Sequence, residues 1–306
     1  MTNKKGIRTE TISKLSQYEP YFFLSPVLIS MLIMMGYPLI RSIIMAFLNY
    51  QLTRPNDIYF IGFGNFMKIF MEDAHMPMIL LNTLKWVFIS VGFQFLFGLI
   101  LALTLKKPFK GRNIYQSIVF LPWAFSSFAV GIMFRWCFNG EYGVVNYILM
   151  KAGIITEKIS WLGSSELALI TVIIAMIWIG VPFFAIMYLA ALQSIPLDIY
   201  EAATIDGCGR IKTFFKITLP YIMPTVITTL LLRTIWVFNS IEMIMIMTGG
   251  GPAYSSETVT SYMYTKAYGT QDFGMAAAMG MLVMIVLMLY SGLFLRGTRY
   301  EESGDF

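Results

Sequence analysis

The chain has 306 residues, 57% of them apolar and only 13% charged, with a mean hydropathy of +0.69. Soluble domains carry about 25% charged residues, so this composition argues against a water-soluble fold. The net charge of +5 does not point to nucleic acid, because the basic residues stand at the ends of apolar runs, where they set membrane orientation.

Residues 1–20 form a polar tail with Lys4, Lys5, Arg8 and Lys14, expected to be cytoplasmic. The apolar run that follows is too long for a signal-peptide core and has no small-residue cleavage site after it, so it is expected to be retained. A spanning helix needs about 20 largely apolar residues. On that test spans are expected over about 21–47, 78–105, 113–135, 167–193, 218–245 and 273–295, within a single six-helix transmembrane domain over 21–297. The fifth carries Arg233 and Glu242 but has no polar face, which excludes a soluble helix. Residues 298–306 form a second short tail.

The connectors read as ordered. Residues 48–77 contain Tyr59-Phe60-Ile61-Gly62-Phe63, too aromatic for a disordered linker. Residues 139–166 make a compact loop, and Thr248-Gly249-Gly250-Gly251-Pro252 is a strong turn signal. Thirteen Lys and Arg fall on the side of the two tails and five on the other. The positive-inside rule then places both termini in the cytoplasm, as an even number of spans requires. Cys137 and Cys208 fall on opposite sides on this topology and cannot pair. His75, the single histidine, lies in an outer loop beside Glu72 and Asp73; the pattern reads as solvated surface and no metal is expected.

Ionisable groups inside a membrane are costly and point to function. In the fifth span Trp236 and Asn239 are three apart, as are Asn239 and Glu242, and on a helix each pair shares a face. Trp236 could stack on the ring of a solute while Asn239 and Glu242 accept its hydroxyls. The alternative is that Glu242 reaches the outer surface and Arg233 pairs with another subunit. Pro182 is expected to kink the fourth span. The small residues Gly274, Ala276, Ala277, Ala278 and Gly280 are expected to pack the sixth against neighbours.

The segment over about 196–216 is the most informative. Pro196 suits a first helical turn, Asp198 and Glu201 suit a helix N-terminus, and Gly207 and Gly209 permit a sharp stop. The product is a short helix on the inner face, a tight turn, and a helix entering the membrane at Pro220. Glu201-Ala202-Ala203, then Asp206-Gly207, then Ile217-x-Leu219-Pro220, resembles the signature loop of permease subunits of binding-protein-dependent ABC importers. Lys110-Gly111-Arg112 leading to Phe120-Leu121-Pro122-Trp123, and Trp236-x-Phe238-Asn239 followed by Thr248-Gly249-Gly250-Gly251-Pro252, resemble the carbohydrate-uptake group of that family.

The resemblance implies an all-α polytopic fold of six transmembrane helices, like a type I ABC importer permease, in a bacterial or archaeal cytoplasmic membrane. It implies that residues Glu201, Ala202, Ala203, Asp206, Gly207, Leu219 and Pro220 couple the chain to a cytoplasmic ATPase. It implies as partners a second permease subunit, two ATPase subunits and an extracytoplasmic solute-binding protein. No G-x-x-x-x-G-K-[ST] loop is present. The chain is therefore expected not to be an enzyme and to bind no cofactor, with ATP and Mg held by the partners. The expected cargo is a mono-, di- or oligosaccharide; a glycerol phosphate, or a stand-alone secondary transporter, is the alternative.

Overall fold

The computed structural model describes residues 21–298; the expected tails, Thr298 apart, lie outside that range. Among the described residues five helices are long and apolar enough to cross a bilayer, or six if one sharply bent pair is a single span. The first, α1 (Tyr21–Ala46), has none of its most apolar window buried. Its side chains face outward as expected of a helix against lipid or a partner.

A two-residue hairpin follows, β1 (Leu48–Asn49) antiparallel to β2 (Tyr59–Phe60) with Leu48 opposite Phe60. The short helix α2 (Gly64–Met67) is anchored by buried Asn65, whose Nδ2 donates to the carbonyls of Ala46 and Leu48, each at 2.9 Å. The long helix α3 (Met76–Lys106) ends where Lys107, ahead of Pro108, turns extended, as a residue before proline must.

The third apolar run departs from the single span expected over 113–135. Helix α4 (Arg112–Phe120) passes into a 3₁₀ turn, Leu121–Ala124. Helix α5 (Ser127–Cys137) then starts afresh, at a bend of 98°. Pro122 has no N–H and its ring crowds the carbonyl four residues back. Phe125 is extended, and Ser126 caps α5 by accepting from the amide of Ala129 at 3.3 Å.

The loop to the fourth span holds α6 (Val144–Lys151). Buried Asn146 organises it: Nδ2 donates to the carbonyls of Gly140 and Ile159, and Oδ1 accepts from Trp161 Nε1 at 2.8 Å. Helix α7 (Ala168–Gln193) is the central strut, with 67% of its most apolar window buried. It packs along α3 and against α9 (Leu219–Asn239), and their side chains make the larger of two apolar cores. The smaller core joins the end of α1 to α11 (Val259–Tyr264) and α12 (Phe273–Gly297).

Between α7 and α9 lies α8 (Leu197–Ile205). A short turn, Arg210–Thr213, and a π-helical turn, Phe214–Thr218, lead on into α9. Past α9 the chain breaks at Ser240, which is extended, and resumes as α10 (Glu242–Met247).

Candidate functional site

Two places carry the residues singled out by the sequence, and they lie at the two ends of α9. At its start, α8 is laid out as the sequence predicts, except that Pro196 stands at the N-cap, one position before the first turn. Gly207 at φ +72° closes the helix. The amide of Cys208 donates to the carbonyl of Ala203 (2.9 Å) and that of Gly207 to Thr204 (3.1 Å), the paired bonds of a glycine-closed helix C-terminus. Glu201, Ala202 and Asp206 are exposed while Ala203 is buried against the bundle. Leu197 and Ile205 are 72% and 86% exposed, so α8 presents apolar side chains beside Glu201 outward. Leu219 and Pro220 are half-buried at the entry to α9.

Tyr200 fastens α8 to the bundle, a residue the sequence reading did not single out. Lys106 Nζ, in the last turn of α3, donates to the Tyr200 hydroxyl at 2.8 Å and lies 4.0 Å from its ring centroid. The same hydroxyl is 3.1 Å from Thr218 Oγ1, at the N-cap of α9. Through this hydroxyl α8 is tied to both α3 and α9. The only sequence signal was the place of Tyr200 immediately before Glu201; Lys106 read simply as a positive-inside residue.

At the far end of α9 is a cavity of about 390 Å³ lined by Trp123, Phe125, Arg233, Trp236, Asn239 and Glu242 among others. All three candidate solute-contact residues therefore line one space. The helical spacing used to place Glu242 does not hold, because α9 ends at Asn239 and Glu242 opens α10; the break at Ser240 still leaves both on the same cavity. Trp236 is 48% exposed, and its ring stands 5.3 Å from Phe183, which lies 6.1 Å from Trp123. Asn239 donates through Nδ2 to the carbonyl of Ile235 at 2.9 Å, which leaves Oδ1 to accept. Trp123, Phe125 and Ser127 come from the break in the third span and were not predicted.

Pairing with another subunit was the alternative considered for Arg233. Within this chain its Nε donates to Gln94 Oε1 of α3 at 2.7 Å, and Gln94 Nε2 donates to the carbonyl of Met176 in α7. Gly180 makes the space: a Cβ there would run into the Gln94 amide and the Arg233 guanidinium.

In the loop ahead of α3, Asp73 accepts from the Tyr262 hydroxyl of α11 at 2.7 Å and faces Lys266 Nζ at 3.4 Å. Burial raises its carboxyl, but the hydrogen bonds from Tyr262 and from the His75 amide, with Lys266, bring it below the usual carboxylate value. No group of three or more His, Cys, Asp or Glu side chains arranged for a metal occurs among the described residues.

Residues 94–297 match the family of binding-protein-dependent transport system inner membrane components. The chain is 33% identical over 279 residues to the sulfoquinovosyl glycerol transport system permease protein SmoG of Agrobacterium fabrum, covering 91% of this chain and 90% of that one. It is 31% identical to the trehalose/maltose transport system permease protein MalF of Thermococcus litoralis, with 79% and 81% covered. Among solved structures it superposes with TM-score 0.81 at 27% identity on a chain of a bacterial ABC transporter involved in the import of the acidic polysaccharide alginate, covering 95% of this chain and 98% of that one. This chain belongs to the binding-protein-dependent transport family and is a multi-pass inner-membrane permease component of an ABC importer.

Proposed function

We propose that this chain forms half of a translocation pathway for a sugar, driven by ATP hydrolysed on partner subunits. The observation that carries the reading is that one helix, α9, joins the two sites. Its N-cap is tied to α8 through Tyr200, and its last turns line the cavity with Trp236 and Asn239. Its 21 residues make a strut of about 32 Å.

In this mechanism α8 docks into a cleft of a cytoplasmic ATPase, with Glu201 making the polar contact and Leu197 and Ile205 the apolar one. Ala202 and Ala203 permit close approach, and Asp206 and Gly207 form the turn. Leu219 and Pro220 carry the chain from that turn into the membrane. Closure of two ATPases on ATP and Mg moves α8 as a rigid body, and α9 passes the motion to the cavity. A second permease supplies the facing half, and an extracytoplasmic binding protein delivers the sugar. Both termini face the cytoplasm. The relatives named for sugar transport, and a solved alginate transporter in complex with a pentasaccharide-bound periplasmic protein (TM-score 0.79, 26% identity), support this reading.

The test is purification from native membranes. An ATPase and a second permease are expected to accompany the chain. Glu201→Ala removes one polar contact from a docking interface, which costs about 2 kcal/mol or more, so ATPase retention is expected to weaken by more than tenfold. A chain that purifies alone and transports alone, indifferent to Glu201→Ala, would contradict the reading.

A further inference from the structure

The cavity holds a cation that makes no ion pair among the described residues, its guanidinium carbon 5.9 Å from the Phe183 ring centroid. Arg233 is 7% exposed and lines the cavity. Its Nε is engaged by Gln94, but its two terminal nitrogens have no hydrogen-bond partner among the described residues. The ion pairs described are Lys158 with Glu141 and Lys266 with Asp73, both elsewhere. Glu242 borders the same cavity but is exposed and accepts from Ser240 Oγ at 3.4 Å rather than pairing with Arg233. Gln94, itself pinned to α7 by its other nitrogen, fixes the guanidinium in place, and Gly180 provides its room. A cation held rigidly inside a membrane bundle without a carboxylate is expected to face a pathway or a charged ligand.

A second feature points the same way. Ser127, the first residue of α5, lines the cavity. The opening amides of a helix have no intrahelical acceptor and form the positive end of its dipole. Broken membrane helices use such ends to hold anionic groups, and α5 begins at the 98° break. Beside this positive region stand the Trp123 and Trp236 rings, with Asn239 Oδ1 and the Glu242 carboxylate able to accept hydroxyl protons.

We propose that the cavity recognises an acidic sugar, its carboxylate held in the fork of Arg233 and its ring against the tryptophans. This rests on the sugar-importer reading above and narrows it. The fork of a guanidinium matches a carboxylate in a two-point contact that a lysine cannot reproduce.

The experiment uses the complete assembly, with partner permease and ATPases, in lipid nanodiscs. Equilibrium binding of labelled glucuronate and of labelled glucose is measured without the binding protein. Glucuronate is expected to bind at least tenfold more tightly than glucose. Arg233→Gln is expected to abolish that preference, the two sugars then binding within twofold of each other. Arg233→Lys, which keeps the charge and serves should Arg233→Gln fail to assemble, is expected to narrow the preference several-fold. Equal binding of the two sugars by the wild type overturns the acidic-sugar proposal and leaves the sugar importer intact. A preference that survives in Arg233→Gln, or is unaltered in Arg233→Lys, overturns it too. Sulfate binding at the site without glucuronate binding marks a bare anion site and also overturns it. Binding of neither sugar, in an assembly whose ATPase is active, sinks the sugar reading with it.

Discussion

Glu257 is 2% exposed, yet it lies in the loop ahead of α11. Its carboxylate accepts from Ser261 Oγ and from Thr265 Oγ1, and the bare backbone of Gly250 leaves the space it fills. Burial pushes its carboxyl above the usual value, and the two hydroxyl hydrogen bonds lower it only in part. A carboxyl whose pKa is raised on folding binds more protons in the native than in the unfolded state. Its stabilising contribution is therefore full below the ordinary carboxylate value and is lost as pH rises through the raised one. Hydrogen exchange at α11 is expected to show protection falling over that range in the wild type, with Glu257→Gln removing this part of the slope. An unchanged slope in the variant would place the pH dependence elsewhere. In the sequence Glu257 is one acid in a polar loop, and nothing at short range marks it as buried. Asn146, another loop organiser, was equally silent, because its partners Gly140, Ile159 and Trp161 are set by the loop's path rather than by a periodic pattern.

Between elements, α3 and α7 approach closely at Gly98. A Cβ on Gly98 would collide with Phe184 Cβ and sit 3.1 Å from the amide nitrogen of Ala185 and 3.2 Å from the carbonyl oxygen of Val181. Backbone cannot yield as a flexible side chain can, so Gly98→Ala is expected to cost about 1–3 kcal/mol. Gly92, on the same helix with nothing within 4 Å of a built Cβ, is the control, and Gly92→Ala is expected to be neutral or slightly stabilising. Thermal unfolding of the purified assembly separates them; equal midpoints would show that the α3–α7 contact is looser than described. The long apolar runs of α3, α7 and α12 were legible because lipid solvation demands them. The break in the third run was less so. Pro122 was visible, but only the extended Phe125 and the Ser126 cap turn a tolerated proline into a bend.

Across the whole molecule, the shape of the 196–216 segment was readable because its chemistry is local: a turn glycine, a short helix and its acids fall within a dozen residues. The cavity was half readable. Trp236, Asn239 and Glu242 were found on one segment, whereas Trp123, Phe125 and Ser127 arrive from a segment about a hundred residues earlier, joined by the packing of α5 on α10 and of both on α7. Gln94 and Tyr200 are the linking residues, and their partners are distant in the chain. The central claim is that α8 drives the cavity through Tyr200 and α9. Tyr200→Phe keeps the ring and its packing but removes the hydroxyl that joins Lys106 to Thr218. The decisive measurement is the amount of solute imported per ATP hydrolysed by the complete assembly in proteoliposomes. Losing a hydrogen bond worth about 1 kcal/mol is expected to leave assembly and ATP hydrolysis near wild type and to lower that ratio roughly fivefold. A ratio equal to wild type, with the variant fully assembled, would contradict the account.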